Sequence, residues 1–461
     1  MIIGITGNSG TGKTTLAGNL QKVYGEKTYI IDADKIAREL MIPESEYFKD
    51  ILNIFGNEIL NSDGTINREK LARLIFNDNK NREELDKLTF KYVGNETKKI
   101  LSRNLSEIYI IDAPLLIESK LNLLCDRVIS IIADEDVKIE RICLRDNKEK
   151  DEAILRINSQ KDDMFYIKNS DYVIVNNEKL NLEKQANDLM SYLNSDVKNE
   201  NIVIIQNDDV KLLQFKKLLE FENIRHCFTL KPLDFGSNAK YESIKNEVDL
   251  NYKKVCDFLK LDYNNLVRSK QTHTKNVEII DNQRGMFPKE LDNVDALITD
   301  KQNKILSLVF ADCTPIFVFD KNKQIIANIH SGWQGTLQKI SLETVNKMIS
   351  AFKCEPKDLY VFIGPTIRKC HFEVDEDIKE KFEKEYNNIC KNEEYITKSK
   401  TEGKYYIDTV YLNKKIFDYI GIPKKNIIDS NICTVCNSNL IHSYRAEKEK
   451  ALRCTSLICK I

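Results

Sequence analysis

The sequence predicts two α/β domains in succession, the first on a parallel sheet and the second an α/β sandwich. Three observations carry this. Short apolar runs alternate with charged, helically periodic stretches along the chain. Its 461 residues exceed what one ordinary core holds. All five histidines and ten of the twelve cysteines fall after residue 200, so the two parts carry different chemistry. Lys and Arg number 70 against 71 Asp and Glu, a net charge of −1, which points to neither a nucleic-acid nor a membrane-surface partner. No apolar run reaches the length of a membrane span and Met1 leads straight into a strand, so a soluble cytoplasmic protein with reduced thiols is expected.

Strands are expected at IIGIT, YIIDAD (29–34), IYIIDAPLL (108–116), RVISIIA (127–133) and DYVIVNN (171–177). Between the first of these and the helical run TLAGNLQKVY stands Gly7-Asn8-Ser9-Gly10-Thr11-Gly12-Lys13-Thr14, a G-x-x-x-x-G-K-[ST] motif in the context of strand, loop and helix. Glycines let successive backbone N–H groups curl around a phosphate, and the helix adds its positive end. Gly7 to Thr15 therefore form a candidate ATP cradle, with Lys13 on the β- and γ-phosphates and Thr14 on Mg²⁺. Ligands of open parallel sheets lie at the carboxyl ends of strands, which places Asp32, Asp34 and Asp112 near the loop. A GTPase would carry D-x-x-G and N-K-x-D; this part has neither. A kinase needs a carboxylate base and mobile arginines, and Arg141, Arg145-Asp146 and Arg156 supply the cations. The alternative for each arginine is a solvated helix face with i,i+4 charge pairs.

MIIGITGNSGTGKTT, IDADKIARE, FGNEILNSDGTINREKLARLIF, DAPLLIE, Arg141/Arg145-Asp146 and RINSQ occur in the order seen in dephospho-CoA kinases, and residues 1–195 resemble that family. The resemblance implies transfer of the ATP γ-phosphate to the 3′-hydroxyl of dephospho-CoA. It implies Asp34 as base, Lys13 and Thr14 on phosphates and Mg²⁺, and Arg141 and Arg145 as lid residues. Arg68 and the segment Pro114 to Glu118 are then acceptor-side elements. Thr89-Phe90-Lys91 stands where the family usually has His-Pro, a departure that bears on the acceptor pocket.

The polar stretch NSDVKNEN ends the first domain, giving domains at 1–197 and 202–461. Beyond it, strands are expected within ILSLVFADCTPIFVFD (305–320), QIIANIHSGW (324–333) and LYVFIGPTI (359–367), with one amphipathic helix, TLQKISLETVNKMISAF. His273, Cys313 and His330 sit in Gln271-Thr-His, Ala311-Asp-Cys-Thr-Pro and His-Ser-Gly-Trp. Two imidazoles and a thiolate suit zinc and leave a fourth position open, although residue type alone favours satisfied structural roles for all three.

QTH, ADCTPIFVF, IANIHSGWQGT, FIGPTIRKCHFEV, ICT and HSYRAE, in this order, resemble the laccase-domain or "multicopper polyphenol oxidase" family, over 202–461. That family is similar to purine nucleoside phosphorylases with adenosine deaminase activity. The resemblance implies one zinc on His273, Cys313 and His330 beside a purine nucleoside, with phosphorolysis and adenosine deamination as reactions. Five histidines with no His-x-His pair cannot build a multicopper cluster, although Cu(I) would accept the three ligands. Gln334, Leu230 and Lys231 stand where the family commonly has Arg, which bears on phosphate binding; Arg445 in HSYRA is a nucleoside or phosphate candidate. Cys433-x-x-Cys436 with Cys454 and Cys459 is a further thiol set, but four residues separate the second pair, so bystander cysteines are expected. His371 and His442 are expected as pocket or surface residues rather than ligands.

The whole sequence thus reads as a kinase using ATP and Mg²⁺ joined to a zinc-dependent purine nucleoside enzyme. The alternative for the second domain is a non-catalytic, metal-binding regulator or partner of the kinase.

Overall fold

The apolar runs become strands in the computed structural model, which describes residues 1–76, 78–177, 182–236, 242–282 and 290–461. The chain divides into two units, Met1–Met190 and Ser191–Ile461.

In the first unit β1 (Ile2–Thr6), β2 (Thr28–Asp32), β3 (Ile108–Asp112), β4 (Arg127–Ile132) and β5 (Tyr172–Val175) pair in parallel, in the order β5-β4-β1-β3-β2. All five residues of β3 are buried, as a parallel strand covered on both faces requires. The helices Ala33–Leu40 and Asn79–Ser102 bring Ile36, Val93 and Ile100 onto Ile31 and Ile111. A side lobe packs Tyr47, Phe48 and Ile51 on Ile59, Ile66 and Leu71. Because β1 lies between β3 and β4, strand order reverses at the β1–β3 pair, and the crevice beyond their carboxyl ends is the topological site for a ligand. The run expected as strand through residue 34 stops at Asp32. Its carboxylate accepts the Lys35 N–H at 2.8 Å and caps the helix Ala33–Leu40, so Asp34 lies in a first helical turn.

The second unit has β6 (Ile202–Asn207), β7 (Val210–Phe215), β8 (Ile224–Thr229), β9 (Leu266–Lys270), β10 (Val277–Ile279), β11 (Leu291–Asp292), β12 (Ala296–Thr299) and β13 (Ile305–Phe310). There follow β14 (Thr314–Asp320), β15 (Ile325–Ser331), β16 (Leu359–Ile363), β17 (Glu373–Asp375), β18 (Ile396–Lys398), β19 (Lys404–Ile407), β20 (Ile427–Asp429) and β21 (Cys454–Lys460). One sheet runs β11-β9-β13-β21-β8-β7-β6, another β10-β12-β15-β14-β16-β20, and a small one β17-β19-β18. The two large sheets face each other. Phe228 of β8 stacks on Phe317 of β14 with ring centroids 4.5 Å apart, and Phe215 meets Phe362 at 5.2 Å. Buried Asn328 of β15 crosses between them, donating to the carbonyls of Leu306 and Ser456 at 3.1 and 2.9 Å. The helices Ile340–Phe352 and Thr409–Ile420 cover one outer face and Glu242–Leu259 the other, an α-β-β-α sandwich.

Two expectations change. The apolar run 305–320 divides into β13 and β14, which belong to different sheets, and Asp312 turns the chain between them with φ +80°. The single helix expected at 336–352 is two, Trp333–Leu337 and Ile340–Phe352, broken where Lys339 adopts φ +60°. Among the described residues, no helix is long and apolar enough to cross a membrane.

Candidate functional sites

In the first unit Gly7, Gly10 and Gly12 adopt φ of +139°, +80° and +102°. A Cβ on Gly7 would lie 2.1 Å from the Ile131 carbonyl oxygen, so only glycine closes this turn. The loop is tied from outside. Ser9 N–H donates to Gln160 Oε1 at 3.0 Å, Asn8 Nδ2 to the Lys161 carbonyl at 2.9 Å, and Asn176 Nδ2 to the Thr11 carbonyl at 2.7 Å. The cradle is completed by Thr15 in the first turn of the helix Lys13–Tyr24.

Lys13 Nζ donates to the Asn8 carbonyl at 3.0 Å, and Thr14 Oγ1 to Asp112 Oδ2 at 2.9 Å. Burial lowers the Lys13 pKa to about 8 against the opposing charges of Asp112 and Asp34. Burial raises Asp34, Asp32 raises it further, and Lys13 holds it down. Asp112 is likewise raised by burial and held down by Thr14 and Lys13. One lysine thus stands among three carboxylates, with the Thr14 hydroxyl oriented by one of them.

The arginines take up two roles. Arg141 Nη1 donates to the carbonyls of Asn176 at 2.9 Å and Gly10 at 3.3 Å, bracing the loop from behind. Arg145 is bidentate on Asp146 at 2.7 and 2.8 Å, and Arg156 joins the same carboxylate at 2.9 Å. Arg68 begins the helix Arg68–Phe76 of the side lobe and is exposed. The Pro114 carbonyl accepts Thr6 Oγ1 at 3.0 Å, which joins it to the end of β1. Burial raises the pKa of Glu118, and its Oε2 is buried with no partner among the described residues. Thr89, at the position of the departure, bonds Tyr47 Oη at 2.7 Å.

In the second unit His273, Cys313 and His330 converge, their ligand atoms within 4.8 Å of one another. Cys313 Sγ lies 3.7 Å from His273 Nε2, close to the S–N edge of about 3.6 Å that a tetrahedral zinc requires. The ligand-bearing loops are shaped by Asp295, fully buried beside β12. Its carboxylate accepts the N–H groups of Thr272, His273 and Thr274 at 3.2, 3.0 and 2.9 Å, curling the turn in which His273 has φ +62°. It also accepts His330 Nδ1 at 2.9 Å, which turns Nε2 toward Cys313 as metal-bound histidines are usually oriented. Although burial opposes it, His330 and the N–H donors lower the Asp295 pKa to about 2. Burial would raise Cys313, yet His330 and His273 bring it down to about 6; His330 rises against its own burial to about 9 beside Cys313 and Asp295. Gly332 belongs to the cradle, because a Cβ there would lie 2.7 Å from the His273 ring and 3.1 Å from Cys313 Sγ.

These three ligands line a cavity of about 670 Å³. Trp333, Phe372 and Tyr444 supply aromatic walls, and Lys270, Arg445 and Arg453 bring cations. Arg445 is held by the carbonyls of His371 at 2.8 Å and Glu373 at 3.2 Å, and its N–H donates to Asp312 at 2.6 Å. Gln334 is exposed and not part of the cavity lining, Leu230 is core, and Lys231 pairs with Glu447. The last two residues of HCFTLKPLDFGSN, 237–238, lie outside the described residues. Asp295, Arg453 and the aromatic walls were not singled out from the sequence. Only the aspartate in the apolar stretch NVDALIT hinted at a buried charge.

The other cysteines correct the sequence reading. Cys454 and Cys459 are buried in β21, away from the CxxC pair. Cys433 and Cys436 instead meet Cys370 and His371, so His371 stands in a ligand cluster rather than as a pocket or surface residue. His442 is buried, its Nε2 3.2 Å from the Leu233 carbonyl.

The molecule therefore combines a P-loop nucleotide-binding unit with a sandwich whose cavity carries a His–Cys–His ligand set. By sequence the chain belongs to the dephospho-CoA kinase family in its first part and to the multi-copper polyphenol oxidoreductase laccase family in its second, the two family models matching residues 1–181 and 233–460. A dephospho-CoA kinase of Listeria monocytogenes is 37% identical over 201 residues, 43% of this chain and 98% of that protein. The purine nucleoside phosphorylase YlmD of Bacillus subtilis is 28% identical over 217 residues, 46% of this chain and 77% of that protein. The crystal structure of hypothetical protein YfiH of Bacillus licheniformis aligns at a TM-score of 0.51 and 26% identity, covering 56% of this chain and 99% of that one.

Proposed function

We propose that the chain is a bifunctional cytoplasmic enzyme. The first unit phosphorylates the 3′-hydroxyl of dephospho-CoA to give coenzyme A. The second phosphorolyses purine nucleosides and deaminates adenosine, with zinc at His273, Cys313 and His330.

For the kinase, the supporting observation is the group of Lys13, Thr14, Asp34 and Asp112 at the strand-order reversal of a chain part 37% identical to a dephospho-CoA kinase. Magnesium, when bound, neutralises charge on the β- and γ-phosphates of ATP. Thr14 Oγ1 is the protein ligand for it, oriented by Asp112. Lys13 exchanges the Asn8 carbonyl for phosphate oxygens. Asp34 takes the proton of the acceptor hydroxyl as its oxygen bonds to the γ-phosphorus and ADP leaves. Arg141 keeps the loop in register, and Arg145 closes over the phosphates by giving up Asp146. Arg68, Pro114 and Glu118 frame the acceptor. Asp34→Asn is the test: it lowers 3′-phosphorylation by about 10²-fold or more and leaves ATP binding intact, whereas turnover near the wild-type rate removes Asp34 from the role.

For the second unit, the supporting observation is one cavity that joins a zinc-compatible ligand set to three cations and aromatic walls. Zinc, when bound, supplies a Lewis-acidic centre with an open fourth position. Arg445 and Arg453, with Lys270, hold the phosphate and replace the arginines missing at Gln334, Leu230 and Lys231. Phe372, Trp333 and Tyr444 hold the purine. A phosphate oxygen then bonds to C1′ as the bond to N9 breaks, giving ribose 1-phosphate and the protonated base. In deamination water adds at C6 of adenosine and ammonia leaves, giving inosine.

Zinc-loaded full chain incubated with phosphate and adenosine, inosine, guanosine or methylthioadenosine tests this, with free base and inosine as readouts. Product lost in Cys313→Ala supports the reading. No product from any nucleoside, with a kinase rate altered by Cys313→Ala, would instead make the second unit a metal-binding regulator of the kinase.

A further inference from the structure

We propose that Cys370, His371, Cys433 and Cys436 bind a second zinc ion in a closed Cys3His site that clips together two loops of the cavity wall. The four ligand atoms lie within 4.8 Å of one another, and among the described residues this cluster and the His273–Cys313–His330 set are the two that group metal ligands in this way.

The distances fit a tetrahedron. With Zn–S of about 2.3 Å and Zn–N of about 2.1 Å, two sulfurs lie about 3.8 Å apart and a sulfur and a nitrogen about 3.6 Å. Cys370 Sγ is 3.5 Å from Cys433 Sγ and 3.9 Å from Cys436 Sγ. His371 Nδ1 is 3.2, 3.6 and 3.5 Å from the sulfurs of Cys370, Cys433 and Cys436. Three of the six edges are thus within about 0.1 Å of their zinc-bound lengths, and two more are shorter by about 0.3 to 0.4 Å. Ordinary burial of cysteine as a small apolar residue does not explain the cluster, because Cys370 and Cys436 are exposed.

The backbone holds the ligands in place without the metal's help. Arg368, two residues before Cys370, is bidentate on Asp429 at 2.9 and 2.8 Å, and the His371 and Phe372 N–H groups both return to the Arg368 carbonyl. Across from them, Thr366 and Cys433 form a parallel bridge, and Asn437 binds the Cys433 carbonyl through both its backbone N–H and its Nδ2. Four protein ligands leave no position for a substrate, the pattern of a structural rather than a catalytic zinc.

The clip would position two parts of the cavity wall. One loop carries Phe372 and Glu373, which line the cavity, and offers the His371 and Glu373 carbonyls to Arg445. The other carries Thr434, whose hydroxyl donates to Asp312 at 2.5 Å, next to the ligand Cys313. This zinc is thus a positioning element for the cavity, separate from the ion at His330.

The test is metal content of the full chain loaded with excess Zn(II) and desalted, with X-ray absorption at the zinc edge. Wild type binds two zinc ions per chain, and Cys313→Ala and Cys436→Ala one each. The ion left in Cys313→Ala has three sulfurs and one nitrogen, a readout that does not depend on whether Cys436→Ala folds. No zinc retained by Cys313→Ala, fewer than three sulfurs around the ion it retains, or a Cys370–Cys433 disulfide in the loaded protein would overturn the proposal.

Discussion

At Asp34 the kinase proposal becomes a pH dependence. The base must be ionised to accept a proton, and its burial beside Asp32 raises its pKa. The rate therefore falls as pH drops through that raised value, and the acid limb of kcat lies above the ordinary aspartate range. Asp34→Asn should lower kcat by about 10²- to 10⁴-fold, the usual worth of a positioned base, with the Kd for ATP little changed by calorimetry. At the second centre Asp295→Asn should weaken zinc binding by about 10- to 100-fold, because it loosens both His330 and the turn that presents His273; competition with a chelator measures it. Gly332→Ala should lose the metal as well, since its Cβ would occupy the space between His273 and Cys313. These residues differ in how far they can be read from sequence. The phosphate loop is a local pattern, so Lys13 and Thr14 declare themselves. Asp295 acts on residues 21 to 35 positions away, through the backbone N–H groups of 272–274 and the ring Nδ1 of His330, and nothing in its neighbours announces that.

At the scale of elements, β8 carries a buried histidine that should govern acid stability. His226 is fully buried, its Nε2 accepts the Phe215 N–H at 2.8 Å, and burial lowers its pKa from 6.5 to about 3. Below pH 6.5 the unfolded chain binds a proton there that the folded strand does not, so stability is lost as pH falls from 6.5 toward 3. The loss is about 1.4 kcal/mol per pH unit from this group. His226→Gln should flatten the fall of the second unit's melting temperature over that range relative to wild type; an unchanged slope would contradict it. Elements were legible where periodicity was unbroken, as in the strands of the first sheet. They were misread where one residue turns the chain. Asp312 and Lys339, with positive φ, divide an apparent long strand and an apparent long helix, and a side-chain cap at Asp32 ends a strand early. The Cys433–Cys436 pair is visible, but the spacing of Cys454 and Cys459 argues for bystander cysteines, whereas the partner His371 lies 62 positions away from Cys433 in sequence and beside it in space.

On the scale of the molecule, two sites of different chemistry lie in the two compact units of one chain. One relies on glycine, lysine and carboxylates, the other on imidazole and thiolate. The uneven distribution of histidine and cysteine foretold this division, but of the second cavity's cations only Arg445 was legible; Lys270 at the end of β9 and Arg453 just before β21 join it only in the fold. In the proposed bifunctional enzyme each site performs its own reaction. Assaying wild type, Asp34→Asn and Cys313→Ala full chains for both dephospho-CoA phosphorylation and nucleoside turnover tests it most directly. Complementary losses are expected: Asp34→Asn keeps only nucleoside turnover and Cys313→Ala keeps only kinase activity. A variant that loses both activities, or nucleoside turnover that persists in Cys313→Ala, would contradict it.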